Sequence, residues 1–349
     1  MIRQATPGLL RSCGRLFHLA ACLLMLAACE MPGDAAPILK IGLIAPFEGL
    51  GRPLGYALLP AVQVAIDEAN AAGAFGRYRV ALVSLNDNDD PATAAQQVRA
   101  LALDPAVLAV LGPWSSETVA AAAPVLAGAG LPVLAGSPAV AITGGQRSLC
   151  PAPAAVADAM VARALELNGG GSDASRLGLL GSGSALATGL RQAAGQHPGV
   201  ILADPGAGRA TLLFAGNAAE AADEMAIQRA GGWQGRTVGG PDLARSWFIG
   251  RAGAGSEGSL AVVCTEATPL PEGFAARYRA AGGSVAGPEA VLAYGGARVV
   301  LAAVASDIRS HGRPTRAGAA AALAAQPLSP QLTWLQVSGG RWTTADHSP

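Results

Sequence analysis

The chain has 349 residues, a length that suits about two domains of ordinary size. Basic and acidic side chains balance at 24 each, and aromatics make up only 4%. With no basic stripe, nucleic acid is excluded as an expected partner. The first segment reads as a targeting sequence: Arg3, Arg11 and Arg15 precede an apolar run over 16–28, broken only by His18. That run is too short to span a bilayer comfortably, where ~20 residues are needed. Glycines and charged residues interrupt the later apolar runs, so none of them reads as a membrane helix.

The apolar run ends Leu26-Ala27-Ala28-Cys29, which resembles the lipobox of bacterial lipoproteins. The resemblance implies a signal peptide over 1–28, lipidation of Cys29, a tether over 29–37 and an extracytoplasmic protein anchored to the membrane through that lipid. An ordinary signal peptide with a chance cysteine is the alternative. Cys13 and Cys22 would leave with the signal, so Cys150 and Cys264 are the thiols that remain.

From 38 to 44 the chain is almost continuously apolar, as a parallel strand buried on both faces requires. A Gly/Pro loop follows over 46–55. Leu58, Val62, Ile66 and Ala69 fall at helical spacing, and Gly73 ends that helix. A second strand is expected over 78–85, then the polar loop Asn86-Asp87-Asn88-Asp89, read as solvated. Asp90 and Pro91 suit the N-cap and first turn of a helix running to about 103. A third strand covers 106–111, the loop Gly112-Pro113-Trp114-Ser115-Ser116 opens another helix, and a fourth strand covers 131–134. The second half repeats the plan, with strands over 176–180, 211–214 and 237–238 and helices over 185–194 and 218–230. The last third turns back through a strand over 259–264, helices over 271–281 and 288–308, and a strand over 332–337. Such alternation gives doubly wound α/β sheets.

Several segments then fall into a known order. They are Leu39-Lys-Ile-Gly-Leu-Ile-Ala-Pro46, Gly55, Val64-Ala-Ile-Asp-Glu-Ala-Asn70, Asp90-Pro91, Gly112-Pro113 with Ser115-Ser116, and Gly136-Ser137-Pro138. The set resembles the substrate-binding proteins of branched-chain amino acid ABC transporters, the leucine/isoleucine/valine type of the periplasmic binding protein type I family. The likeness is strong over 38–142 and looser over 176–349. It implies two Rossmann-like lobes joined by a hinge of three crossing segments. Lobe one would hold 38–149 and 265–330; lobe two would hold 150–264 and 331–349. A small polar ligand, an amino acid, would lie between them, with an ABC permease as partner. The family implies no enzymatic activity, no cofactor and a monomer.

The resemblance also implies ligand-binding residues. Ser115 and Ser116 stand at a helix N-terminus whose N–H groups suit a carboxylate, and plain N-capping is the alternative. Pro138 and Ala139 lie where the family offers a carbonyl to the ligand's ammonium. Asp242 matches the acidic residue that pairs with that ammonium, or it caps a helix. Asn217 stands where the family often has an aromatic. Trp114 either faces the cleft or packs inside. Ala141 replaces a usual hydroxyl residue, and Leu54 and Leu186 replace tyrosines, so the family's specificity does not carry over. Cys150 and Cys264 fall at crossings between lobes, where a disulfide and two separate buried thiols both fit. The positions of the family's own frequent disulfide are Asp89 and Trp114 here.

Other chemistry is weaker. His197 and His311 lack metal-ligand spacing, and Asp87 to Asp90 lacks the glycine and terminal Glu of a calcium loop, so no metal is expected. No serine sits in a nucleophile elbow. Gly253-Ala-Gly-Ser-Glu-Gly258 matches a dinucleotide pattern, but a strand follows it rather than a helix. A ligand sensor or a degenerate binding module without a permease stays open beside a transport role.

Overall fold

A computed structural model describes residues 36–138, 145–169, 176–181, 184–203, 211–266 and 269–345. Residues 38–349 form one compact unit, with two lobes, each built on its own sheet.

The first sheet is made of β1 (Ile38–Ala45), β2 (Arg79–Asn86), β3 (Val107–Leu111), β4 (Val133–Ala135) and β5 (Gln146–Ser148), in the order β2-β1-β3-β4-β5. All its pairings are parallel. β3 is buried at every residue and β1 from Ile41 to Ala45, which explains their largely apolar sequence. Between the strands run α1 (Arg52–Ala71), α2 (Pro91–Leu103) and α3 (Ser116–Ala129). Asp90 caps α2 as its sequence suggests: Oδ1 accepts from the Thr93 N–H at 2.7 Å.

The second sheet holds β6 (Arg176–Leu180), β7 (Ile201–Ala203), β8 (Thr211–Phe214), β9 (Arg236–Gly239) and β10 (Leu260–Glu266) in parallel. β11 (Pro330–Ser338) runs antiparallel to β10, and β12 (Arg341–Thr344) antiparallel to β11. The order is β12-β11-β10-β9-β8-β6-β7. Its helices are α4 (Pro153–Leu167), α5 (Ala185–Gly195), α6 (Ala218–Ala230) and α7 (Ser246–Ala252). The chain then returns through α8 (Phe274–Ala280), α9 (Pro288–His311) and α10 (Arg316–Ala325), where α9 packs on α1 and α10 on α9.

Each sheet is covered on both faces. One core under the first sheet joins Leu43, Leu58, Val62, Tyr294 and Val304, and another joins Ile44, Val98, Val110 and Leu126. The second sheet separates a core around Met160, Leu190 and Leu213 from one around Met225, Leu243 and Phe248. By length and composition α9 could cross a bilayer, contrary to the sequence expectation, but two thirds of its apolar window is buried inside the protein. It is a core helix.

The main chain passes from the first sheet to the second between β5 and α4, back between β10 and α8, and forward again between α10 and β11. Cys150 follows β5 and Cys264 lies in β10. They form a disulfide with Cα atoms 5.2 Å apart, buried in the larger core of the first lobe. Of the two arrangements open to these thiols, the structure has the bridge.

Candidate functional site

The loops at the carboxyl ends of parallel strands are where open α/β sheets hold ligands. In the first lobe that place is the loop from β3 into α3. Ser115 is the extended N-cap residue of α3 and is buried. Its Oγ lies 2.8 Å from Thr118 Oγ1, and Thr118 Oγ1 donates to the Ser115 carbonyl at 3.0 Å. Its hydroxyl is therefore engaged at the helix start. Ser116 Oγ lies 3.0 Å from Ser137 Oγ, and the Ser116 N–H donates to Asp242 Oδ2 at 3.0 Å.

Asp242 belongs to the facing lobe, in a short helical turn over Pro241–Leu243 just after β9. Its other oxygen, Oδ1, accepts from the Arg245 guanidinium at 3.3 Å. The same guanidinium donates to the Trp114 carbonyl at 2.8 Å. Asp242 and Arg245 thus both reach main-chain atoms of residues 114–116 across the cleft. Burial pushes the Asp242 carboxyl above its usual range, while the Arg245 charge and the Ser116 N–H pull the other way. A nearly buried ion pair is tolerable when both ends have partners, as here.

Trp114 itself is a core side chain, 3% exposed. Its ring lies flush on Gly136: a Cβ there would stand 2.1 Å from Trp114 Cε3, so only glycine fits. Of the two placements open to Trp114, the structure has packing for the indole and a cleft contact for the carbonyl.

Two cavities flank the Ser116–Asp242 contact. One, of about 350 Å³, is walled mainly by apolar groups, with Val119, Ala123, Leu126 and Pro138 from the first lobe and Leu186 from the second. The other, of about 370 Å³, is more polar and is lined by Asn88, Asp89, Asn217, Asp242 and Trp247. Ser116, Glu117 and Ser184 line both. Asn217 also caps α6, accepting from the Ala219 and Glu220 N–H groups at 3.1 and 3.0 Å. Ala139 and Cys29 lie outside the described residues, as does Ala141.

Glu117, Ser184 and Arg245 are cleft residues that the sequence reading does not single out. Arg245 could have been found from its spacing, three residues after Asp242. Glu117 follows the two serines directly and sits in the first turn of α3. The side chain is exposed, yet partial desolvation raises its carboxyl, and the like charges of Glu220, Asp242 and Asp89 add to this while the Asn217 side chain opposes them.

The loop after β2 also departs from expectation. Asn88 and Asp89 adopt the left-handed conformation, with φ of 55° and 57°. Asp87 is only 1% exposed rather than solvated. Its Oδ1 accepts from the Asp89 N–H at 3.0 Å, but Oδ2 has no hydrogen-bond partner. Burial, more than any neighbour, pushes its carboxyl up to about 6.

Residues 38–199 match the family model of the periplasmic binding protein. Among solved structures, the leucine-binding protein LivK of Thermotoga maritima is similar with a TM-score of 0.72 at 18% identity, over 88% of this chain and 98% of that one. LivJ of Streptococcus pneumoniae in complex with isoleucine gives 0.67 at 19% identity, over 87% and 97%. An ABC transporter substrate-binding protein of Desulfitobacterium hafniense in complex with Leu gives 0.67 at 15% identity, over 88% and 100%. No curated protein sequence matches the chain. At these identities the structural likeness is one of fold. The family match covers residues 38–199, and the whole described chain shares the fold of these solved structures.

Proposed function

We propose that the protein is an extracytoplasmic solute-binding protein that captures a small polar ligand of the amino-acid class between its lobes for an ABC importer. One observation carries this reading: the Asp242 carboxylate of one lobe meets the Ser116 N–H of the other at 3.0 Å, with a cavity of ligand size on either side. A contact at that place closes the cleft and puts a helix N-terminus, a carboxylate and an apolar wall within reach of one small molecule. Ser115, Ser116, Pro138, Ala139, Asn217 and Asp242 are the residues proposed around it, with Trp114 contributing its carbonyl. In the same reading Cys29 carries the lipid that anchors the chain to the membrane.

The similar structures support the solute class, since two of them hold isoleucine and leucine. The test is a thermal-shift screen of amino acids, amides and small acids. A true ligand at about 100 times its dissociation constant adds roughly 2.7 kcal/mol of stability. A flat response across all three classes sinks the reading.

A further inference from the structure

We propose that Glu117, and not Asp242, receives the cationic group of the solute, whose apolar body enters the cavity walled by Val119, Ala123, Leu126 and Leu186. This rests on the solute-binding reading and names the group that meets the solute's charge.

Asp242 already has a cationic partner. Oδ2 accepts from the Ser116 N–H at 3.0 Å and Oδ1 from the Arg245 guanidinium at 3.3 Å. An incoming ammonium would have to stand beside the like charge of Arg245, which is also held by the Trp114 carbonyl at 2.8 Å. Arginine is well suited to stay, because it keeps its charge and bonds two acceptors with one planar group.

Glu117 stands differently. The polar group beside it is the neutral Asn217 side chain, and it takes part in none of the ion pairs found among the described residues. Of the acidic side chains at the cleft it alone lines both cavities. Glu220, Asp242 and Asp89 place like charge around it, and a bound cation would relieve that repulsion. The apolar cavity of about 350 Å³ opens directly beside it and suits a hydrocarbon body. An ammonium on Glu117 with its carbon skeleton in that cavity leaves the Asp242–Arg245 pair intact.

The test is calorimetry on the full exported chain. The twenty amino acids are screened first; the tightest binder is then compared with its decarboxylated amine and its deaminated acid. The amine should keep affinity within about tenfold of the amino acid, and the acid should lose far more. Glu117→Gln should weaken the amino acid and the amine by roughly ten- to hundredfold, Glu117→Asp should recover part of that, and neither should change the thermal midpoint of the free protein appreciably. An acid that binds as well as the amine, or Glu117→Gln that binds the amine as wild type does, overturns the assignment. A wild-type chain that takes up none of the compounds overturns the solute-binding reading itself, and this one with it.

Discussion

Two of the contacts between the lobes among the described residues are opposite in kind. At the hinge, Cys150 and Cys264 form a covalent bridge inside the apolar core of the first lobe. At the cleft, Asp242 and Arg245 reach Ser116 and Trp114 through hydrogen bonds that exist only while the lobes meet. A covalent link at a crossing restrains sliding and leaves bending free; polar contacts at the mouth are reversible. The hinge therefore supplies persistence and the cleft supplies response. A short series of serines connects them: Ser116 Oγ lies 3.0 Å from Ser137 Oγ, Ser148 Oγ donates to the Ser137 carbonyl at 3.0 Å, and the Cys150 N–H donates to Ser148 Oγ at 2.9 Å.

The hardest test of this contrast is to remove the covalent half. The bridge spans 114 residues of sequence, for which loop-closure entropy suggests roughly 4–5 kcal/mol as an upper bound. Replacing both cysteines by serine should lower stability in urea titrations by up to that amount while leaving solute affinity nearly unchanged. Equal loss of affinity would erase the distinction between hinge and cleft.

A second test separates the loop after β2 from the cross-lobe bonds. The Asp87 carboxyl is raised from 3.8 to about 6 in the folded state. A raised carboxyl means the folded state binds the proton more tightly than the unfolded one. The group is therefore least unfavourable below the unfolded value, and its penalty grows as pH rises toward 6 and is complete above it. The full difference is roughly 3 kcal/mol at 1.36 kcal/mol per pH unit. Melts of wild type and Asp87→Asn at pH 4.5 and 7.5 should show the wild type gaining on the variant at the lower pH. Parallel behaviour would place the pH response elsewhere.

A third and smaller effect separates the Ser116 backbone from its side chain. Ser116 is the first residue of α3, where proline is well accepted. Ser116→Pro removes the N–H that Asp242 accepts, while Ser116→Ala removes only the hydroxyl. The proline variant should be about 1–3 kcal/mol less stable than the alanine variant, because a buried carboxylate oxygen loses its donor. If the two melt alike, the cross-lobe bond contributes nothing.

Much of the fold was legible because buried parallel strands and their caps leave plain marks. β3 is apolar throughout, β1 is broken only by Lys40 and Gly42 and β8 only by Thr211, and Asp90-Pro91 announces α2. Short edge strands left no such mark: β5 is Gln-Arg-Ser, three polar residues that pair only because β4 lies beside them. β12 falls in a tail read as Gly-rich and polar, and its pairing with β11 is a tertiary fact. α4 does carry a helical pattern in Val156, Met160 and Ala164, though the sequence reading assigns nothing there. At the site, the order of motifs pointed to Ser116 and Asp242, which meet. It did not point to Arg245 or Glu117, because charge compensation across a cleft depends on which loops face each other, and that is set by topology.

The second sheet is begun at residue 176 but gains β11 only at residue 330, after the chain has gone back to add α9 and α10 to the first lobe. Neither lobe is thus a segment that can be cut out and expected to fold. The first lacks α8, α9 and α10 beside α1 on one face until 325, and the second presents β10 as a bare edge until β11 arrives. As the polypeptide is made, neither half can be finished much before the other. Such long-range closure slows folding and makes the two lobes rise and fall together as one cooperative body.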